Sequence, residues 1–367
     1  MKRYNIERGS NLLKFIDKYV GIPLIFLLGL FKKKRKKPNK IERIALLKTA
    51  AIGDTTILTA IIKDIKDYDP KIKITLFSGG SNYEFAKLLT KQFSNLEIIK
   101  LPIKNSIKAI KLINKQKFDV FLDFGPWPRL NAIFSFFSNS KYTVGFKTKN
   151  QYRHFIYDNI VVHSDKVHEL ENYKNIIRTI GIKKNNLPHI NFIKNNNNIN
   201  NVIVIHMFPG GSKSYLKEWP EEYWVNLINY LTKTNNLIYL TGAKIDRNRA
   251  LKIKNLCKEK NKIIVSAGEF SLEKTIELIN NSKLLISVNT GIMHIASALK
   301  CNLIVLNGPT SSKRWGPLNE NAISLQSSLE CSPCLNLGFE YGCNEDKCMK
   351  HIKIKDVINA IKQLGIE

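Results

Sequence analysis

SVNTGIMHIASA, residues 287–298, follows the apolar run Leu284-Leu285-Ile286, which is short enough for a buried strand. Beyond Gly291 the apolar residues Ile292, Met293, Ile295, Ala296 and Leu299 fall at helical spacing. The segment reads as strand, tight turn, helix, with Asn289-Thr290-Gly291 at the turn. A helix N-terminus offers free backbone N–H groups and the positive end of the helix dipole, and a glycine there lets a ligand come close to the backbone. The turn is therefore a candidate anion cradle. The same residues also suit an ordinary strand-to-helix turn capped by Thr290.

Outward from this unit the pattern repeats. A strand at 303–306 and a last helix at 354–364 follow it. Ahead of it come a strand at 202–205, a loop to Pro220, a helix at 221–232 and a strand at 237–241. A helix at 246–258, a strand at 262–265 and a helix at 272–280 complete that half. Residues 41–182 show the same alternation, with strands at 41–47, 72–77, 96–101 and 118–123, a helix at 55–66, an edge strand at 143–146 and a closing helix at 166–180. Alternation of this kind predicts two similar α/β halves, each a parallel, doubly wound sheet. Residues 183–201 hold nine Asn and no core periodicity, so they read as the linker. The second half then spans 202–353 and ends in the helical stretch 354–367. Such sheets bind ligands at the carboxyl ends of their strands, which makes the cleft between the halves the expected active site.

With 367 residues the chain is long enough for two full-sized cores. Its net charge of +28 is unevenly spread: residues 1–48 hold 14 Lys and Arg against Glu7, Asp17 and Glu42, leaving +11 there. Nucleic-acid binding would call for basic residues interleaved with exposed aromatics, or a known module, and neither is visible. Residues 15–31 read FIDKYVGIPLIFLLGLF and run straight into KKKRKK at 32–37. The uninterrupted apolar part, 20–31, is too short to span a bilayer comfortably, and the charge follows it, unlike in a signal peptide. Residues 1–40 therefore read as a membrane-surface element with an apolar face in lipid and Lys32–Lys37 on anionic headgroups. The other reading is a terminal helix packed on the body with a solvated charge run.

Three loops at strand ends in the second half have the chemistry for a nucleotide. His206–Pro220, HMFPGGSKSYLKEWP, offers backbone N–H groups at Gly210, Gly211 and Ser212, a hydroxyl at Ser212 and cations at Lys213 and Lys217, a set that suits a pyrophosphate. At Gly242–Asp246 the Asp246 carboxylate can accept from a ribose hydroxyl or cap a helix. The third loop is the opening turn, Asn289–Gly291. In the first half Asp54, just after Gly53, is either a general base facing the cleft or the N-cap of the following helix.

Four pieces carry a resemblance: AIGDTTILTA at 51–60, PGGSKSYLKEWP at 209–220, SVNTGIMHIASAL at 287–299 and GPTSSKRWGP at 308–317. In order and at suitable spacing, they resemble glycosyltransferase family 9, the family of the lipopolysaccharide heptosyltransferases, over residues 41–365. The resemblance implies a GT-B fold of two facing Rossmann-like domains, with the acceptor in the first and the nucleotide-sugar in the second. It implies inverting, metal-independent transfer, plausible here because no Asp-x-Asp lies where it would hold a catalytic metal. It implies a heptose donated by ADP-heptose to a lipopolysaccharide core or related envelope saccharide, at the cytoplasmic face of the bacterial inner membrane.

Carried across, Asp54 matches the Gly-Asp carboxylate that deprotonates the acceptor, and Lys217 the lysine that neutralises the departing diphosphate. Thr290 and Gly291 match the diphosphate turn, Asp246 lies near the acidic residue that holds the ribose, and His294 matches the family's histidine. One position departs: the family has Asp-Thr-Gly where this chain has Asn289-Thr290-Gly291. The lost charge leaves a second reading open, a catalytically impaired nucleotide-sugar-binding or scaffold protein on the same fold. Lastly, Cys331-x2-Cys334-x8-Cys343-x4-Cys348 has ligand-like spacing, which suits either a structural zinc or packed free thiols.

Overall fold

Short runs of Ile, Leu, Val and Phe, punctuated by Gly, Asn and Pro, form the strands of both halves. In the computed structural model residues 11–192, 201–211, 213–335 and 342–366 are described, and the chain divides into two units, Met1–Pro188 and His189–Glu367.

The first unit opens with two short helices, α1 (Asn11–Tyr19) and α2 (Gly21–Leu30). Its sheet follows: β1 (Arg43–Lys48), then helix α3 (Ile52–Tyr68), β2 (Lys73–Ser78), β3 (Leu96–Lys100), β4 (Phe118–Asp123), β5 (Ser140–Lys147) and β6 (Asn159–Val162). All pairings are parallel, in the order β3-β2-β1-β4-β5-β6. Every residue of β4, and every residue of β1 after Arg43, is buried, as expected where helices cover both faces of a parallel sheet. Ala45, Leu47, Phe77, Phe118 and Phe121 share one of its clusters, with Phe77 stacked on Phe121 at 5.9 Å.

Two expectations are corrected here. The strand at 143–146 is not an edge: β5 runs from Ser140 to Lys147 and is paired on both sides, with β6 outside it. The NIVV of β6 is four residues long, and an edge strand needs one ladder and little apolar patterning, so its sequence signal is faint. The helix expected to begin at Thr55 starts at Ile52, with Ala51 at its N-cap, so Asp54 lies inside its first turn and does not cap it.

The second unit repeats the plan with β7 (Val202–His206), β8 (Leu237–Leu240), β9 (Ile263–Val265), β10 (Leu284–Val288), β11 (Leu303–Asn307) and β12 (Ala322–Gln326), parallel in the order β12-β11-β10-β7-β8-β9. β7, β10 and β11 are buried along their whole length. The edge strand β12, like β6, had no strong counterpart in the sequence pattern. In both sheets the chain order reverses beside the first strand, between β1 and β4 and between β7 and β10, and loops leaving such a switch point are where doubly wound sheets bind ligands. Among the described residues no helix is long and apolar enough to cross a membrane.

Candidate active site

In the first unit the site grows from the last residue of β1. Lys48 follows the apolar run Ile44–Leu47 at the end of β1, and its side chain stays inside, 3% exposed. Its Nζ lies 2.7 Å from Asp54 Oδ1 and donates to the Phe124 carbonyl at the end of β4, 3.1 Å away. Tyr173, on the helix Glu169–Arg178, donates its hydroxyl to the same Asp54 oxygen at 3.2 Å, and its ring lies 5.2 Å from the Lys48 ammonium. An acidic residue in the first turn of a helix also has the favourable end of the dipole beside it. The loop that carries these groups is pinned from below: the Asn82 amide donates to the Lys48 carbonyl and to Thr55 Oγ1, both at 2.8 Å. Gly79 is needed at this crossing, because a Cβ there would sit 2.0 Å from the Thr49 carbonyl oxygen. Lys48 is the member of this cluster that the sequence does not single out. Its signal was a lone lysine closing an apolar run five residues before Gly-Asp.

In the second unit His206 of β7 lies beside Ser287 of β10, so the loops after these two strands leave the sheet together. After β7 the chain makes a turn at Gly210 and Gly211, the latter at φ +97°, and a Cβ on either would meet nothing within 4 Å. The Lys217 Nζ donates to the Gly210 carbonyl at 2.9 Å, which holds the ammonium at this open turn. Its position is set by buried neighbours. Leu216 packs inside, and Trp219 stands edge-on to Trp224 at 4.8 Å and donates its indole N–H to the Ile352 carbonyl at 2.8 Å. Lys213 is exposed and donates to Asn344 Oδ1 at 2.6 Å. Ser212 lies outside the described residues.

After β10 the helix Gly291–Ala298 begins with Thr290 as its N-cap, the hydroxyl accepting from the Met293 N–H at 3.4 Å. The capping alternative is thus realised, on a turn that still opens a helix N-terminus beside the Gly210-Gly211 loop's own strand. His294 lies in that helix's first turn and is buried. After β8 the buried Asp246 carboxylate turns back to accept from the Ala243 N–H at 3.0 Å and makes no side-chain cap on the helix Arg247–Leu256.

The profile of glycosyltransferase family 9 (heptosyltransferase) matches residues 108–345, well over half the chain. The chain belongs to this family. Among its relatives is the lipooligosaccharide heptosyltransferase 2 of Campylobacter jejuni, 25% identical over 164 residues, which are 44% of this chain and 51% of that one. The matched stretch therefore spans about half that relative's length. Among solved structures, the Escherichia coli ADP-heptose lipopolysaccharide heptosyltransferase II aligns with a TM-score of 0.70 at 17% identity, covering 88% of this chain and 98% of that one. A family 9 glycosyltransferase from Veillonella parvula aligns at 0.72 and 18% identity, over 90% and 99%. The two sheets and their flanking helices are the GT-B fold of these structures.

Within the family 9 framework, the Asn289 departure has a local physical account. Its side-chain amide donates to Asn307 Oδ1 at 3.0 Å and to the Trp315 carbonyl at 3.2 Å, while Asn307 donates on to Ser324 Oγ at 2.7 Å. A carboxylate has no N–H to give these acceptors. The sequence's one Asp-x-Asp, Asp67-Tyr68-Asp69, ends α3 at the opposite end from Asp54, with Asp67 paired to Lys63.

The four cysteines lie near one another but do not form the expected zinc site: among the described residues no three His, Cys, Asp or Glu side chains are grouped to hold a metal. Cys331 and Cys343 are exposed, and Cys343 Sγ bonds to the Glu345 carbonyl at 3.3 Å. Cys348 is buried, and burial first, then the nearby Cys334, pushes its thiol up to about 11. Residues 336–341, between the second and third cysteines, lie outside the described set.

Proposed function

We propose that this chain is an inverting glycosyltransferase that moves a heptose from ADP-heptose onto a lipopolysaccharide core or related envelope saccharide, at the cytoplasmic face of the inner membrane. The observation that carries the reading is the open Gly210-Gly211 turn with the Lys217 ammonium on it, beside a helix N-terminus at Gly291. Backbone N–H groups, a cation and a helix dipole are what a diphosphate needs when it must leave without a metal to bind it. Family membership and the name of the Escherichia coli structure support the choice of donor.

In this mechanism the acceptor oxygen bonds to the anomeric carbon as the bond from that carbon to the diphosphate oxygen breaks. Asp54 takes the acceptor's hydroxyl proton, and ADP leaves with the bonding electron pair. Lys48 and Tyr173 hold the Asp54 carboxylate in one rotamer, which is the orientation a general base requires. Lys217, with Lys213 and, by sequence, Ser212 of the same loop, meets the charge that develops on the diphosphate. Thr290 and Gly291 present the helix end, Asn289 holds their turn in shape, His294 supports that helix's first turn, and Asp246 accepts from the ribose.

The test is ADP release by the purified full-length chain with ADP-heptose, with and without a core saccharide acceptor, and NMR of the product's anomeric configuration. Acceptor-dependent ADP release with inverted configuration supports the proposal. Tight ADP-heptose binding with no turnover at saturating acceptor would instead identify a nucleotide-sugar-binding protein on this fold.

A further inference from the structure

α2 reads GIPLIFLLGL and has no charged residue, so it is apolar all round, a pattern that normally means burial on every side. Only one side is buried: Ile25 and Leu28 pack with Ala132, Ile133, Ile156 and Tyr157 of the first unit. The opposite face, equally apolar, is open, with Leu30 83% and Phe31 72% exposed beside Phe26 and Leu27. α1 adds Leu12, Phe15, Ile16 and Tyr19, spaced to share one helical face and all exposed. The body of the unit adds a third part. The exposed rings of Tyr152 and Phe155, more than a hundred residues further on, stand 5.4 and 5.0 Å from Phe26.

These parts are fixed to one another by ion pairs, each with one side chain buried in the body of the unit. Asp17 binds Arg129 at 2.7 Å, and Asp158 binds Lys32 and Arg35, each at 2.8 Å. Lys32 and Arg35 are thus paired to the body through Asp158, while Lys33, Lys34, Lys36 and Lys37 of the same run are exposed. No acidic residue occurs between Asp17 and Glu42. The positive rim reaches the aromatic patch: His154, whose ring stacks on Phe155 at 4.3 Å, is held below its ordinary basicity by burial and then by Lys147 and Lys34.

We propose that α1, α2, Tyr152 and Phe155 form one composite face that docks the first unit on a bilayer containing anionic lipid, with Lys33, Lys34, Lys36 and Lys37 at the headgroups. A contiguous apolar patch beside an acid-free basic strip complements an anionic interface, whereas a second copy would bring the same positive strip against itself. At ten residues α2 is about 15 Å long, half the hydrocarbon thickness, so it lies in the interface and does not cross it. Because the body supplies part of the face and ion pairs hold the helices to it, docking sets the orientation of the whole unit and is more than a tether. This proposal does not rest on the transfer reaction.

The experiment is sedimentation of the full-length chain with phosphatidylcholine vesicles, with and without phosphatidylglycerol, at physiological salt. Binding is expected only with the anionic lipid. Lys33→Gln, Lys34→Gln and Lys36→Gln together should weaken it roughly a hundredfold, about fivefold per charge. Leu30→Ser with Phe31→Ser should weaken it about tenfold or more, and Phe155→Ser about tenfold. Tyr152→Asn, which suits the positive φ there, gives a second probe of the body's part that spares the backbone. Wild-type binding in both the Phe155 and Tyr152 variants would overturn the composite face. Equal binding to neutral vesicles, or none to either, would overturn the partner, and a dimer in sedimentation velocity that Leu30→Ser with Phe31→Ser dissociates would assign the face to a second copy. Turnover with a soluble acceptor is expected to be unchanged in all these variants. A chain that binds vesicles but never turns over ADP-heptose would sink the transfer reading alone.

Discussion

At the end of β1 the charges are sealed inside; at the end of β7 they are partly or fully exposed. Lys48 and Asp54 are both nearly sealed from water and bonded to each other, to the Phe124 carbonyl and to Tyr173. Lys217 and Lys213 stand more exposed, donating to a backbone carbonyl and to an asparagine, around a turn with empty space above two glycines. The contrast separates two kinds of site. A group that must move a proton in a defined direction gains from being locked before substrate arrives. A site that must receive a polyanion gains from cations and N–H groups that a ligand can reach from solvent.

The largest effect expected from breaking this contrast is at Asp54. Asp54→Asn should lower kcat about 10²–10⁴-fold. It should also destabilise the first unit by about 3 kcal/mol, because a buried ammonium loses its counter-charge. Adding Lys48→Met to that variant removes the orphaned charge, so chemical denaturation should show most of the stability restored while turnover stays low. Turnover that returns with stability would mean that Asp54 is structural only.

Next in size is the open corner. Lys217→Ala should cost about 10²–10³-fold in kcat with unfolding stability changed by less than about 0.5 kcal/mol, since the ammonium is partly exposed and donates to a backbone carbonyl at an open turn. A stability loss as large as that of Asp54→Asn would erase the difference between the corners.

Asn289→Asp tests whether the second unit has a locked element of its own. Substitution removes two donated hydrogen bonds and sets a carboxylate against the Trp315 carbonyl, so a loss of about 1–3 kcal/mol is expected in thermal unfolding. An unchanged or raised melting temperature would show that the amide network is not what keeps Asn at this position.

The smallest effect is a pH dependence confined to the first unit. Burial alone would raise the Asp158 carboxyl, but Arg35 and Lys32 together hold it at about 2, below its ordinary 3.8. A depressed folded-state value gives stability that is present above pH 4 and lost as pH falls from about 4 to about 2, up to about 2 kcal/mol. Limited proteolysis across that window should release residues 11–31 before either sheet unfolds. In Asp158→Asn the release should already occur at neutral pH, and equal protection in variant and wild type would remove Asp158 as the clamp.

Much of this was legible in the chain because the physics involved is local. The alternation of apolar strands with helical spacing located ten of the strands, and the Gly-rich, Lys-bearing composition of loop 206–220 is what the proposed anion site rests on in the sequence. The short edge strands β6 and β12 were not legible, because four or five half-buried residues pair on one side only and leave little period to read. Asp54 was visible as a carboxylate after a glycine, but a base and a helix cap look alike in sequence. The fold rules out the cap by starting α3 at Ile52, and it brings Lys48 and Tyr173, six and 119 residues away, onto one oxygen of Asp54. Asn289 looked like a lost charge, and its reason lies in Asn307 and Trp315, which reach it from the next strand and the helix beyond.

By itself, then, the sequence determined the two parallel sheets and the family, and it singled out the glycine turns and basic loops proposed to meet a nucleotide-sugar's charge, since periodicity, glycine turns and basic loops act over a few neighbouring residues. Tertiary structure decided which charges are spent on the fold and which remain for ligands. It engaged Lys32 and Arg35 with Asp158, Lys48 with Asp54 and Arg129 with Asp17, and left Lys33, Lys34 and Lys36 exposed. Burial and pairing depend on chain segments brought together over long separations, and no local pattern encodes them.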